Sequence, residues 1–367
     1  MKISVERNQL LTPLQVAHAV VERRQTLPIL ANVLLTATEH GFRLSATDLE
    51  VELSVPGTLD KCVAPGATTL PARKLLDLCR ALPDGTLLTI DASGDRATVR
   101  AGRSRFSLSI LPAAEFPGID VTADELVLEL PQRDLRRAIE ATHFAMAQQD
   151  VRYYLNGMLF EINAGKVRLV ATDGHRMAIT ELPLELAPEL NRRIIVPRKT
   201  VIEALRLLSD DESPARLCVG VDHLTLSAAD IVFKSKVIDG SFPDYERVVP
   251  RNQDKVLDID RLALRDALNR VAIFANEKYR SVRLQLEPNL LRLSANNAEN
   301  EDAEDELEVD YAGASLEIGF NVSYLIDVLT ALRSESVRLH LSDPGSSCLL
   351  TEPAGGFNRY VIMPMRL

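Results

Sequence analysis

The sequence predicts an α+β protein made of three copies of one unit, each with two helices and about eight short strands. Three observations lead there. The stretch Leu30-Ala31-Asn32-Val33-Leu34-Leu35, running on to Leu44-Ser45-Ala46-Thr47-Asp48, recurs 125 residues later as Leu155-Asn156-Gly157-Met158-Leu159-Phe160, running on to Leu169-Val170-Ala171-Thr172-Asp173. A looser copy, Val282-Arg283-Leu284-Gln285-Leu286 leading to Leu293-Ser294-Ala295-Asn296-Asn297, lies a further 124 residues on. Each copy is two alternating apolar runs joined by a polar turn containing Gly or Asn, which is how a β-hairpin reads. The elements flanking the hairpin also repeat in order, with helices set apart from runs of strands rather than alternating with them. Finally, 367 residues exceed what one hydrophobic core usually serves. Units at 1–121, 129–249 and 251–367 are expected.

In the first unit the apolar positions Leu10, Leu14, Val16, Val20 and Val21 recur at mostly helical spacing, predicting a helix over 6–24 that Pro13 makes less regular. Strands follow over 30–55. Pro71 opens and Pro83-Asp84-Gly85 stops a second helix over 72–82, and more strands end in Arg105 to Leu111 before Phe116-Pro117. After a polar connection, 118–125, the second unit offers a helix over 132–148, the hairpin, a helix over 198–208, and a closing strand Phe233 to Ile238 before Phe242-Pro243. The linker 250–255 leads to the third unit, with helices over 261–275 and 321–333 and a last strand Tyr360 to Met363. Leu76-Asp77, Ile202-Glu203 and Ile326-Asp327 hold matching places in the three second helices.

Composition excludes several classes. No apolar run approaches the roughly 20 residues a membrane helix needs, and MKISVERNQL lacks a signal-peptide core, so a soluble, cytoplasmic protein is expected. Cys62, Cys79, Cys218 and Cys348 stand alone, with no C-x-x-C pair and no His at ligand spacing; they predict reduced thiols and no metal. The net charge of -10 is unevenly spread. The six predicted helices carry 16 basic and 8 acidic residues, the remainder 26 and 44. That bias predicts a polyanion-facing helical surface whose dispersed contacts meet phosphates without reading bases.

Packing geometry limits how such helices enclose a duplex. Neighbouring helices lie about 8–10 Å apart, so six in a circle leave a bore of about 7 Å, too narrow. Twelve leave about 25 Å, enough for a duplex about 20 Å wide. A helix-lined ring around DNA therefore requires two chains.

With three repeats, TLPIL, ATDGHR, QQDVRYYLNGML and the terminal MPMRL in view, the sequence resembles the bacterial replicative sliding clamps, the beta subunits of DNA polymerase III, over its whole length. The resemblance implies a DNA clamp fold, a head-to-tail homodimeric ring of six subdomains, helices inside and sheets outside. It implies a processivity factor that encircles and slides on duplex DNA without sequence preference. It also implies docking of the replicative polymerase alpha subunit, the clamp loader, translesion polymerases and repair proteins through short clamp-binding peptides.

Carried onto this sequence, the family pattern gives Arg24, Arg73, Gln149, Tyr153 and Tyr154 for DNA, supported by Arg198 and Lys199. Adjacent tyrosines beside a polar turn suit stacking on exposed bases. The partner-peptide cleft maps to Arg152, Leu155, Thr172, Gly174, His175, Arg176, Met177, Pro243, Arg247, Val248, Asn321, Tyr324, Ser347, Val361, Met363, Pro364, Met365, Arg366 and Leu367. Met, Pro, Leu and Val with a few polar groups suit a peptide with Leu or Phe anchors. Gly345 and Met177 depart from the family pattern, which has an apolar residue and Leu there. For the dimer, Lys74, Arg96, Arg103 and Arg105 beside Leu82, Phe106 and Leu108 face Ile273, Phe274 and the acidic Glu299, Glu301, Asp302, Glu304 and Asp305. The apolar contacts are expected to supply most affinity, since a surface ion pair is worth about 0–1 kcal/mol, and the charges to set register.

An enzyme reading of Thr172-Asp173-Gly174-His175-Arg176 fails on the repeats. Thr47-Asp48 is followed by Leu49-Glu50 and the third copy has Asn296-Asn297, so no His recurs; a strand-end turn in which Asp caps its own backbone accounts for both. The sequence has no G-x-x-x-x-G-K-S/T loop, so any ATP is used by a partner. No catalytic residue and no cofactor is expected.

Overall fold

The computed structural model describes residues 1–21, 27–119, 126–163, 165–184, 191–251 and 253–366. The first repeat runs β1 (Lys2–Glu6), α1 (Arg7–His18), β2 (Asn32–Thr38), β3 (Gly41–Thr47), β4 (Val51–Gly57), β5 (Lys61–Ala64), β6 (Gly66–Pro71), α2 (Ala72–Ala81), β7 (Leu87–Ser93), β8 (Arg96–Ala101) and β9 (Ser104–Ser109). The second runs β10 (Leu126–Pro131), α3 (Gln132–Thr142), β11 (Gly157–Asn163), β12 (Lys166–Thr172), β13 (Arg176–Pro183), β14 (Asn191–Pro197), α4 (Arg198–Leu207), β15 (Pro214–Val219), β16 (His223–Ala228) and β17 (Ile231–Lys236). The third runs β18 (Lys255–Asp260), α5 (Arg261–Ala272), β19 (Ser281–Glu287), β20 (Leu290–Asn296), β21 (Asp302–Glu308), β22 (Leu316–Asn321), α6 (Val322–Ala331), β23 (Ser336–Leu341), β24 (Cys348–Thr351) and β25 (Arg359–Ile362). Two helices per repeat, with eight or nine strands, is the arrangement the hairpin repeat predicts.

Contacts divide the chain into two compact units, 1–133 with 206–237, and 134–205 with 238–367. The first contains a five-stranded sheet, β5-β1-β7-β8-β9, and an eight-stranded one, β10-β15-β16-β17-β4-β3-β2-β6. The second contains an eight-stranded sheet, β14-β11-β12-β13-β25-β24-β23-β18, and a four-stranded one, β21-β20-β19-β22. Both long sheets therefore join strands of two consecutive repeats, through antiparallel β17–β4 pairing in one unit and β13–β25 pairing in the other.

Four helices bury the same stripe. Leu10, Pro13, Leu14 and Ala17 of α1, Ala72, Leu75, Leu76 and Cys79 of α2, Leu264, Ala267, Leu268 and Val271 of α5, and Val322, Leu325, Val328 and Leu329 of α6 are buried. Spacings of three and four residues put these side chains on one helix face. Within their units α1 packs on α2, β3 and β4, while α5 packs on α6, β20 and β21.

The first helices end earlier than predicted. Helix α1 stops at His18, where Ala19, Val20 and Val21 donate to carbonyls three residues back, and residues 22–24 of the expected helix lie outside the described residues. Helix α3 stops at Thr142 rather than 148: the Thr142 hydroxyl donates to Ala138 O at 2.8 Å, competing with the helical ladder, and a 3-10 turn follows over His143–Ala145. Helix α5 likewise tightens at Ile273, Phe274 and Ala275. The shorter α-helices hold 13 basic and 6 acidic residues, so their basic excess persists.

Some of that charge is structural. The first residue of each leading helix grips the end of its repeat's second helix: Arg7 Nε donates to Cys79 O at 2.7 Å, Arg261 Nη1 to Leu329 O at 3.0 Å, and Gln132 Oε1 accepts from Ser209 N at 3.0 Å. The two arginines satisfy helix-end carbonyls that would otherwise be orphaned, and Gln132 ties down the chain just past α4. Arg7 and Arg261 thus leave the pool available to an outside polyanion. No helix among the described residues is long and apolar enough to cross a membrane. No disulfide joins any of the four cysteines, and burial pushes the Cys79 and Cys348 thiols up to about 11 and about 12.

Candidate functional site: the cleft beside the second-to-third connection

The Thr-Asp turn is built alike in the first two repeats. Asp48 Oδ1 accepts from Glu50 N and Val51 N at 2.9 and 2.8 Å; Asp173 Oδ1 accepts from His175 N and Arg176 N at 2.9 and 3.0 Å. In the third repeat Asn297 Oδ1 closes a turn one residue wider, accepting from Glu299 N and Glu301 N. Thr47 and Thr172 hydroxyls donate across their turns to Val51 O and Arg176 O. Asp173 therefore closes a turn, and among the described residues no group of three or more His, Cys, Asp or Glu is placed to hold a metal.

What differs in the second repeat is Arg176. Its guanidinium, 12% exposed, donates to Asp173 Oδ2 at 3.1 Å, Asp327 Oδ2 at 2.5 Å and Phe144 O at 2.7 Å. It also lies 5.3 Å from the Phe144 ring centre and 4.5 Å from that of Tyr324. Burial and the Asp173 charge raise the Tyr324 hydroxyl above its ordinary range. Arg152 braces the same turn from the other side, reaching Asp173 O at 3.3 Å and Asp150 at 2.9 Å, which holds the Asp150 carboxyl down at about 2. Gly174 is in the left-handed region at φ 88°, and a Cβ there would meet Arg152 Nη2 at 2.9 Å.

Strand β13 carries this turn directly into the sheet. Met177 stands opposite Val361, and both are buried in an apolar cluster with Leu159, Val170, Ile179, Ile195, Phe242 and Tyr245. Tyr154, Val249 and Leu349 pack against that cluster. The backbone beyond β25 continues the pairing: Met363 N donates to His175 O and Met365 N to Gly319 O.

Val249, which packs against the apolar cluster, also lines a cleft of about 540 Å³ with Arg247, Val248, Pro250, Arg251, Gln253, Ser342, Ser346 and Ser347. The cleft brings together Arg247, Val248 and Ser347 from the sequence expectation. Leu155, Met177 and Val361 are buried core beneath the surface rather than exposed lining, because alternation on a strand or one face of a turn directs them inward. Met363 at 37% and Val248 at 40% are exposed, as are Pro243 and His175. Asn321 caps α6 by accepting from Ser323 N. Pro364 and Met365 are half-buried. Arg366 lines a different groove, of about 320 Å³, on strands β19 to β21, and Leu367 lies outside the described residues. Sequence reasoning missed Val249, Pro250, Arg251 and Gln253, whose signal was their continuity with Arg247 and Val248.

The connection that forms one cleft wall is pinned by Tyr245, whose hydroxyl donates to Glu161 and accepts from Arg168 at 2.6 Å. Burial, and then the bond to Glu161, push that hydroxyl up from 10.0 to about 12 against the pull of Arg168. A raised folded-state value means the folded protein holds this proton more tightly than the unfolded chain. The contribution is full below pH 10 and is lost as pH rises through about 12. Urea unfolding from pH 9 to 12 should show wild type losing its stability advantage over Tyr245→Phe across that window; a constant difference would refute the assignment.

Of the residues expected at DNA, Tyr153 is 56% exposed while Tyr154 is half-buried; the rings pack edge to face at 5.8 Å. Gln149 is exposed at a left-handed φ of 56°, and Arg73 is exposed beside Asp77. Arg198 is half-buried and donates to Met146 O at 3.3 Å; burial, with Arg176 nearby, lowers its guanidinium below the ordinary value. Lys199 is half-buried too, and Arg24 lies outside the described residues.

The residues expected at a dimer contact fall on two sheet edges. Strand β9 is the edge of the five-stranded sheet and carries exposed Arg105 with half-buried Phe106 and Leu108; Arg96 and Arg103 are exposed nearby. Lys74 is exposed and Leu82 half-buried at α2. Strand β21 is the edge of the four-stranded sheet. The acidic run is therefore ordered, with Asp302 and Glu304 exposed on β21 and Glu299 and Glu301 exposed just before it. Asp305 pairs with Arg270 at 2.7 Å, Ile273 is 77% exposed and Phe274 half-buried.

Models of the DNA polymerase III beta subunit match the chain in three parts: the N-terminal domain over 1–120, the central domain over 129–244 and the C-terminal domain over 246–366. Beta sliding clamps of Pseudomonas putida and Escherichia coli K12 are 50% and 49% identical over 367 residues, the full length of both chains in each pair. A Pseudomonas aeruginosa sliding clamp solved bound to griselimycin superposes with a TM-score of 0.96 at 49% identity, and a Caulobacter crescentus clamp with 0.92 at 41%, each over all of both chains. The chain thus belongs to the family of the bacterial DNA polymerase III beta subunit, the sliding clamps, which are non-catalytic processivity factors.

Proposed function

We propose that this clamp acts as a head-to-tail homodimeric ring that encloses duplex DNA in the cytoplasm and docks its partners through the cleft beside the second-to-third connection. The full-length likeness to sliding clamps in sequence and fold carries the reading. Two unpaired sheet edges support the dimer: β9 is basic and β21 acidic, each is flanked by apolar side chains, and two copies related by a twofold axis join edge to edge and close. Repeats bounded at 1–121, 129–249 and 251–367 then supply six subdomains and twelve helices, the number a duplex requires. Exposed Arg73 and Gln149 meet the backbone of DNA, and Tyr153 takes the stacking role with Tyr154 as its support.

The cleft accommodates a short peptide of the replicative polymerase alpha subunit, the clamp loader, a translesion polymerase or a repair protein. Val248 and Met363 offer the apolar contacts and Arg247, Arg251 and the serines the polar ones. Partners then compete for one site. The likeness to a clamp solved with griselimycin supports a ligand-accepting surface on this fold.

Topology tests the ring. Labelled protein placed on a nicked circular plasmid by the cognate loader with ATP is expected to remain through a salt wash and to leave once the circle is cut. Retention on the linear product would mean chemical contacts hold it, and the ring would be wrong.

A further inference from the structure

The sheet face beneath the second-to-third connection carries a row of alternating charge. Arg193, Glu161, Arg168 and Glu181 stand opposite one another on four adjacent strands. Arg193 pairs with Glu161 at 3.4 Å, Arg168 with Glu161 at 3.2 Å and with Glu181 at 2.8 Å. Two residues along each strand, on the same face, the row is apolar: Ile195, Leu159, Val170 and Ile179. The connection covers both rows. Phe242 and Tyr245 pack in the apolar cluster, and past it Arg168 Nη1 donates to Tyr245 Oη at 2.6 Å and to Glu246 at 2.7 Å.

Tyr245 and Glu246 are two of the three residues of a 3-10 turn ending at Arg247, and the chain from Arg247 to Arg251 is one wall of the 540 Å³ cleft. That wall has little grip of its own at its start. Arg247 is 85% exposed, and its ion pair is local, to Asp244 three residues back. The Arg168 side chain is 13% exposed, so its charged hydrogen bonds are weakly screened and hold their geometry.

We infer that Arg168 is a positioning residue for partner binding: it does not line the cleft, and it sets the cleft wall by holding Tyr245 and Glu246. The inference rests on the peptide-cleft reading above. Losing the arginine frees the turn to shift, and a peptide must then spend binding free energy on ordering the wall.

The test compares wild type with Arg168→Met, Arg168→Lys and Tyr245→Phe, using anisotropy of a fluorescein-labelled peptide bearing Leu and Phe anchors. Exchange of the Val248 amide, which donates to Tyr245 O at 3.0 Å, reports the wall directly. Peptide affinity should fall about tenfold in Arg168→Met and about threefold in Tyr245→Phe, with faster Val248 exchange in both. Arg168→Lys should recover part of the affinity, and retention on circular DNA should be unchanged throughout. Unchanged peptide affinity in Tyr245→Phe and Arg168→Met, even with a lowered melting temperature, would reduce the row to a stabilising feature and overturn the inference. Should Arg168→Met not fold, Tyr245→Phe and Glu246→Gln decide by the same readouts. A wild-type protein that ignores the peptide would instead overturn the cleft reading, and the inference with it.

Discussion

Replacing Arg176 by alanine is expected to lower folding stability by about 3 kcal/mol, because it removes one partner from a mostly buried ionic network and strands the rest. Asp173, 17% exposed, would lose its guanidinium, and Phe144 O would lose its donor. The figure sits at the low end for a broken buried pair because Asp327 is 43% exposed and water repays part of its loss. The backbone turn does not itself need the arginine, since Val51 takes the same place after Asp48 in the first repeat. Urea unfolding should therefore place Arg176→Ala well below wild type, Arg176→Lys between them, and Arg247→Ala, at an 85% exposed side chain, within about 0.5 kcal/mol of wild type. An Arg176→Ala protein within 1 kcal/mol of wild type would show that the cluster is not an interdependent unit. The same change should weaken peptide binding, because the turn and β13 lead into Met177, in the cluster against which the cleft residue Val249 packs.

Replacing Ile273 by aspartate should break the proposed dimer without unfolding the chain. At 77% exposure the side chain supports little of its own fold, and a surface change there costs the monomer about 0.5 kcal/mol or less. In an apolar contact with Phe106 and Leu108 of a second chain it would be an anchor, whose loss costs about 2–4 kcal/mol, or about 30- to 1000-fold in dimer affinity. A carboxylate in that apolar contact would also have to be desolvated. Sedimentation should show monomer at concentrations where wild type is dimeric, and plasmid retention should vanish with the ring. Dimer persisting at wild-type affinity would remove Ile273 from the interface and leave the β9 and β21 edges without their apolar complement.

Much of the architecture was readable along the chain because its determinants are local. The hairpin repeat, the helix stripes at spacings of three and four, and the Asp turns all lie within about one helical turn or one strand pair, where periodicity carries the signal. Asp48 and Asp173 capping their own backbone followed from the same logic, and the structure has both bonds in each turn. The helix ends were less legible: Thr142 favours a bond to its own helix carbonyl, and no spacing rule contains that competition.

The candidate site was legible in part. Arg247, Val248 and Ser347 came from the family resemblance and meet at one cleft, whereas Leu155, Met177 and Val361 turned inward and Arg366 lines another groove. Exposure could not be read for these residues because it depends on what is packed above them.

Repeat number, element type, the basic bias of the helices and the self-capped turns are properties of neighbouring residues, and the amino-acid order carries them. Tertiary structure alone decided that β4 pairs with β17 and β13 with β25, joining residues as far apart as Arg176 and Ile362. It also decided that Arg7 and Arg261 serve helix ends, and that Arg168 stands among Glu161, Glu181, Tyr245 and Glu246. Hydrogen bonds and ion pairs act over a few ångströms of space whatever the sequence separation, so partners brought together by sheet pairing leave no periodic trace in the chain.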